Sequence, residues 1–347
     1  MKALAIGLMS GTSLDGLDIC LAKFEKQNRW TFQILKAETL SYSEDWESQL
    51  RNSVHLSAED LLELHSEYGF YLGQRVKEFI HKHQLENIDL IASHGHTVFH
   101  QPKRKFTLQI GDGRAIKLET GLPVIYDFRS QDVLMKGNGA PLVPIGDALL
   151  FSEYSACLNL GGFSNISLQS GEKRIAFDIA PVNIILNYLA QKLHKNFDEN
   201  GALAEKGKIN ETLLNQLNAL DFYHIPPPKS LGIEWCNQHI FPALENIETL
   251  DALATFTEHA AQQISLVINK NNIKDILVTG GGAYNTFLIE KIRAKTKAEV
   301  IIPEKEIINY KEALIFAFMG VLKMNNEINV LSSATGSTAD HCSGVIA

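Results

Sequence analysis

The residues in this sequence best suited to chemistry are three glycine-rich segments, several carboxylates and a histidine cluster. Ser10-Gly11-Thr12-Ser13-Leu14-Asp15-Gly16 combines small residues, hydroxyls and a carboxylate in one turn. Glycine lets a backbone approach a ligand closely, and successive N–H groups in a tight turn form an anion-binding concavity. Asp15 is able to hold Mg²⁺ through water. The Walker A pattern is absent, and an ordinary hairpin turn is the plain alternative. Gly161 and Gly162 form a second such turn, and Gly280, Gly281 and Gly282 a third. Three glycine turns at strand ends favour nucleotide binding over three unrelated hairpins. His94, His96 and His100 fit neither H-E-x-x-H nor a zinc-ligand spacing. Cys20, Cys157, Cys236 and Cys342 form no C-x-x-C pair and read as reduced thiols.

The elements that must position these residues alternate between strand and helix patterns. Residues 3–9 and 17–24 are apolar runs on either side of the first glycine turn, and residues 30–40 form a third strand. A helix starts near Ser57, where Ser57-Ala58-Glu59-Asp60 is a capping box with Asp in place of Glu. Leu61, Leu64, Tyr68, Leu72, Val76 and Phe79 then share one face. A buried strand over 88–93 ends in His94-Gly95-His96-Thr97, and a strand over 123–128 closes on Asp127 and Arg129. The pattern restarts near residue 155: strand, glycine turn, strand at 166–169, strand at 174–179, then a helix over 183–194. Residues 226–230, Pro-Pro-Pro-Lys-Ser, form a rigid loop. A helix over 251–270, a strand over 275–279, a helix over 285–297, a strand over 298–303 and a helix over 310–324 complete the chain. Two halves that open alike suggest a weak structural repeat and an α/β class with mixed sheets flanked by helices.

With 347 residues, 45% apolar and 21% charged, the chain has room for two domains or one large one. Disorder and fibrous repeats are excluded. The net charge of −8 and the lack of a long basic run argue against a nucleic-acid surface. No stretch of 18 apolar residues is present to span a membrane. The short apolar run at 3–9 lacks a cleavage pattern and reads as a strand, so the expected location is cytoplasmic.

Residues 7–18, Gly-Leu-Met-Ser-Gly-Thr-Ser-Leu-Asp-Gly-Leu-Asp, closely resemble the opening motif of the anhydro-N-acetylmuramic acid kinases. The resemblance continues through Ser-His-Gly-His-Thr at 93–97, Gln-Ile-Gly-Asp at 109–112 and Asp-Phe-Arg at 127–129. It runs on through Gly-Asn-Gly-Ala-Pro-Leu-Val-Pro at 137–144, Asn-Leu-Gly-Gly-Phe-Ser-Asn-Ile at 159–166 and Pro-Lys-Ser-Leu-Gly at 228–232. Gly-Gly-Gly-Ala-Tyr-Asn at 280–285 and Lys-Glu-Ala at 311–313 complete it. The resemblance implies the fold of actin, Hsp70 and the sugar kinases. That means an N-terminal domain over 1–150 and a C-terminal domain with the adenosine site over 151–347, with an interdomain cleft. It implies ATP and Mg²⁺, a small amino sugar as partner, no nucleic acid or membrane, and leaves a homodimer open. It also implies a reaction in which water opens a 1,6-anhydro bond while O6 is phosphorylated.

Site roles follow from the same resemblance. Asp178 matches the family's water-activating Asp, and Glu312 a second active-site carboxylate. Gly11, Thr12, Ser13, Asp15, Gly16 and Asp18, with Gly161, Gly162 and Gly280 to Gly282, fall to ATP; Asp15 falls also to the metal. His94, Thr97, Asp127, Arg129 and Asn183 fall to the sugar, Arg129 being suited to a carboxylate, although an Asp127–Arg129 structural pair is an equal reading. Lys229 lies in a loop that the family places near the site. The family usually has Gln where His96 stands. It also reads Asp-Thr-Gly-Pro-Gly-Asn where this chain has Asp178-Ile179-Ala180-Pro181-Val182-Asn183. Ala and Val enter φ > 0 less freely and take up space beside a ligand. Two other readings stand beside this one: an actin-like nucleotide-binding protein serving a protein partner, and a kinase of a related anhydrosugar. A serine hydrolase lacks the G-x-S-x-G element.

Overall fold

A computed structural model describes residues 1–11 and 14–347. The chain divides into two compact units, residues 1–151 with 310–347, and residues 152–309.

The first unit is built on a seven-stranded mixed sheet. In chain order its strands are β1 (Lys2–Ser10), β2 (Leu17–Lys26), β3 (Trp30–Leu40), β4 (Leu90–Gln101), β5 (Phe106–Ile110) and β6 (Val124–Tyr126). In the second unit β7 (Ala156–Leu160), β8 (Phe163–Ser170), β9 (Lys173–Pro181), β10 (Asp275–Thr279) and β11 (Glu299–Ile301) follow. β12 (Val345–Ile346) returns to the first sheet, whose order is β12-β6-β4-β1-β2-β3, with β5 on β4. The second sheet runs β11-β10-β7-β8-β9. Both are made the same way. An antiparallel three-strand meander comes first, and two later strands then add parallel to its first strand. The repeat that sequence pattern only suggests is therefore a repeat of topology, within the expected α/β class.

β1 is apolar from Ala3 to Met9 because both its faces are covered, as parallel pairing requires. Ile6 and Leu8 join a cluster with Leu64, Tyr68, Leu72 and Phe79 of the helix Ala58–His83. Ser57 caps that helix by accepting from the Asp60 N–H, while its own hydroxyl donates to the Asp60 carboxylate at 2.8 Å. The helix Lys305–Met324 crosses at Gly7, where a Cβ would collide with the Ala313 carbonyl. That close approach, and the pairing of Val345 with Tyr126, draw residues 310–347 into the first unit. The expected C-terminal domain over 151–347 is corrected accordingly. β4 also runs on past the expected end at residue 93, so the tetrad 94–97 lies within the strand. The core of the second unit gathers Leu158, Ile166, Phe177, Ile179, Val182, Phe256, Ile264 and Val278.

Candidate active site

In the first unit the candidate residues lie where β1 ends and β2 begins, within β4 and just after β6. Gly11 accepts the Leu14 N–H at 3.3 Å, and Leu14 holds a left-handed φ of 61°. Thr12 and Ser13 lie outside the described residues. Gly16 has φ 148°, and a Cβ there would stand 2.7 Å from the Leu40 carbonyl oxygen, so the turn demands glycine. Asp15 is exposed. Asp18 accepts the Thr39 hydroxyl at 2.6 Å. Burial raises the Asp18 carboxyl above its ordinary range; the Thr39 bond opposes this and the Asp15 charge adds to it.

Arg129 is held by neutral partners. Its Nε–H donates to His94 Nε2 at 2.9 Å and its Nη1 to the Gly139 carbonyl at 2.6 Å. His94 Nδ1 lies 2.9 Å from the Gly95 carbonyl, which can only accept, so that nitrogen carries the proton. Burial, and then the Arg129 charge, hold the His94 imidazole well below its usual range and keep it neutral. Asp127 does not pair with Arg129; it accepts the Ser130 N–H at 3.2 Å, in a left-handed conformation (φ 53°). The structural Asp127–Arg129 pair is thus replaced by a guanidinium whose side-chain partner is an imidazole. Desolvation lowers Arg129 to about 10, against the opposing charges of Glu312 and Asp132. Glu312 keeps solvent access, yet surrounding protein desolvates its carboxyl and raises it, Arg129 opposing and Asp18 adding. Thr97 accepts from the Gln109 amide at 3.2 Å.

Three supports escape sequence reading because they join distant residues. Fully buried Asp132 accepts the Gly139 N–H and the Thr335 hydroxyl, each at 2.7 Å, which fixes the loop that carries Arg129's carbonyl partner. Tyr42 donates to Ser10 at 2.8 Å and lies 2.7 Å from the Tyr68 hydroxyl. Ser10 Oγ in turn lies 3.4 Å from His96 Nδ1. Burial lowers His96 to about 4 and raises Tyr42 to about 12, so this string is neutral.

In the second unit the other two glycine turns meet. Thr279 of β10 stands in register with Asn159 of β7, so the turns after these strands are neighbours. Asn183 stands beside both: its backbone N–H donates to the Gly161 carbonyl and its amide to the Leu160 carbonyl at 3.0 Å, while a Cβ on Gly281 would stand 3.6 Å from its amide nitrogen. It therefore belongs to the glycine cluster of this unit. A Cβ on Gly280 or Gly282 would strike Leu160, and Gly280 has φ 81°. At Gly162 and Gly281 the nearest atoms to a Cβ are 3.8 Å (Ile184) and 3.6 Å (Asn183) away. Those two exposed glycines leave their backbone uncovered by a side chain of their own, a cradle that fits a nucleotide. Among the described residues, no three His, Cys, Asp or Glu side chains group to hold a metal.

Asp178 lies in β9 opposite Asn165, beside a bulge. It is half-buried, and its Oδ2 accepts the Leu231 N–H at 2.8 Å; Oδ1 accepts no hydrogen bond from the described residues. Burial raises its carboxyl and the Leu231 bond opposes. The residues that depart from the family pattern turn inward: Ile179, Ala180 and Val182 are at most 1% exposed and belong to the core. Val182 has φ −134°, and Ala180 is likewise not among the positive-φ residues. Neither position needs glycine here.

The sequence profile described as anhydro-N-acetylmuramic acid kinase matches residues 3–347. An anhydro-N-acetylmuramic acid kinase of Clostridioides difficile (strain 630) is 35% identical over 96% of this chain and 95% of its own length. One of Bacillus thuringiensis subsp. konkukian (strain 97-27) is 31% identical over 96% of each. Among solved structures, the activator of 2-hydroxyisocaproyl-CoA dehydratase from Clostridium difficile is similar over 93% of this chain and 97% of its own, at 12% identity with a TM-score of 0.46. The motifs follow one another in family order and the matches run nearly end to end, and so the chain belongs to the anhydro-N-acetylmuramic acid kinase family.

Proposed function

We propose that this protein is an ATP-dependent kinase that opens 1,6-anhydro-N-acetylmuramic acid with water and phosphorylates O6. The product is N-acetylmuramic acid 6-phosphate, and the reaction belongs to cytoplasmic peptidoglycan recycling. Beyond family membership, the observation that carries this reading is the Asp178 carboxylate: half-buried, held at one oxygen by a backbone N–H, and with the other oxygen available. Burial makes it more basic than an exposed aspartate. Asp178 takes a proton from water as the water oxygen bonds to the anomeric carbon. The anomeric C–O6 bond breaks, its electron pair stays on O6, and O6 attacks the γ-phosphorus with ADP leaving. Positioning and electrostatics supply most of the barrier reduction in such a transfer.

Arg129, oriented by His94 and the Gly139 carbonyl, receives the lactyl carboxylate of the sugar, together with Thr97 within β4 and Asp127 just after β6. Because its side-chain partner is an imidazole, its charge is available to an anion. Gly161, Gly162 and Gly280 to Gly282, with Asn183 bracing them, take the adenosine. The turn from Gly11 to Gly16 takes the phosphates. Asp15, with Asp18 nearby, would hold Mg²⁺, and the ion would supply neutralisation of phosphate charge. Glu312 contributes a second carboxylate to the site. Asp178→Asn tests the base directly. Sugar-dependent ADP formation is expected to fall by roughly 10²–10⁴ with ATP affinity kept, whereas turnover at the wild-type rate would remove Asp178 from this role.

A further inference from the structure

Asp178 is not held by its own strand alone. Its N–H donates to the Lys229 carbonyl at 3.1 Å, and its Oδ2 accepts from Leu231. The loop over 226–231 therefore grips the aspartate at both backbone and side chain. Lys229 secures that loop: its ammonium donates to the Phe222 carbonyl at 2.9 Å and sits 4.4 Å from the centre of the Phe222 ring. Phe222 is buried, and its ring packs against Trp235 and Tyr223.

Behind it lies a rigid polar anchor. Fully buried His259 meets the Tyr223 hydroxyl at 2.8 Å through Nε2 and the Asn218 carbonyl oxygen at 2.7 Å through Nδ1. Gln263 donates to that same Asn218 oxygen at 2.8 Å, which marks it as an acceptor. His259 Nδ1 thus carries the proton and Nε2 accepts from Tyr223. Burial lowers this imidazole to about 3, so the anchor stays neutral.

We propose that Lys229 is a positioning residue for Asp178: by clasping Phe222 it fixes the 226–231 loop, and the loop fixes the carboxylate through the Leu231 N–H. The proposal rests on the reading of Asp178 as base. Lys229 acts here through the backbone rather than through its charge. Burial and the Leu231 bond are the influences on the Asp178 carboxyl, and no charged neighbour is among them. Loosening the clasp removes the influence that lowers the carboxyl and leaves burial unopposed.

The test uses the full-length protein and pH profiles of kcat at saturating anhydrosugar and ATP, with ATP affinity measured separately. In Lys229→Met, kcat at neutral pH is expected to fall about ten- to a hundredfold, the scale of a slightly misplaced catalytic group. The acid limb is expected to move to higher pH, with ATP affinity within about twofold of wild type. Lys229→Arg, whose guanidinium reaches the same carbonyl, is expected to recover most of kcat and the original limb. Phe222→Leu, which keeps the carbonyl but removes the ring, shifts the limb the same way by less and serves should Lys229→Met not fold. An unmoved limb, or lost ATP affinity as the main effect, overturns the proposal. Asp178→Asn is run alongside. Turnover persisting there removes the base itself, whereas an inactive Asp178→Asn with an unmoved limb in Lys229→Met removes only the clasp.

Discussion

At Asp178 burial and a backbone N–H pull in opposite directions, and burial is the larger influence. As the proposed base, Asp178 is ionised only above its raised value, so turnover is expected to fall as pH drops through a point above the ordinary 3.8 of an aspartate. The sign for stability is the reverse. A carboxyl raised on folding binds more protons folded than unfolded, so stability falls as pH rises through the window between the two values. Asp178→Asn, which removes that charge yet can still accept from Leu231, is expected to melt at or above the wild-type temperature at neutral pH while losing activity. Thermal melts of both proteins at two pH values check this. Arg129 poses a different residue-scale question. Arg129→Gln is expected to raise KM for the carboxylate-bearing sugar by about tenfold or more, since a charge-assisted bond contributes roughly 1.5–3 kcal/mol, and to change ATP affinity little. Steady-state kinetics with each substrate varied in turn measures the split.

At the scale of elements, the glycine turns were legible in sequence because their demands are local. Gly16 and Gly280 need φ values open to glycine, and Gly282 needs room beside Leu160. The long helix Ala58–His83 announced itself through its Ser57 cap and apolar spacing. The helix Glu44–Asn52 did not, because its one buried residue is Leu50. The family's glycines at 180 and 182 show the limit of reading by motif. Absent glycine suggested a crowded ligand space, whereas Ala180 and Val182 pack in the core. Val182→Gly is therefore expected to cost about 2–4 kcal/mol in denaturant unfolding, from lost burial and added backbone freedom, with no gain in turnover. Gly281→Val points the other way. A Cβ there would make only ordinary contact, 3.6 Å from the Asn183 amide nitrogen, so the fold is expected to be kept while ATP affinity falls, an outcome that calorimetric titration reads directly.

At the scale of the whole chain, the topological repeat explains why two sequence halves without letter-by-letter similarity read alike: each needs a meander followed by parallel strands, and so needs turns in the same places. What sequence could not give were partners brought together by closure of the fold. Asp132 meets Thr335 across 203 positions and Asp178 meets Leu231 across 53, and no periodicity marks such pairs. The return of residues 310–347 to the first sheet is of the same kind. The central claim, that this chain couples ATP to one anhydrosugar through a carboxylate base, is tested most directly by coupled ADP release with 1,6-anhydro-N-acetylmuramic acid, related anhydrosugars and free amino sugars. ADP released with the anhydromuramic sugar, at a rate far above that without sugar, is the predicted result. ADP release at the same slow rate whichever sugar is present would contradict it.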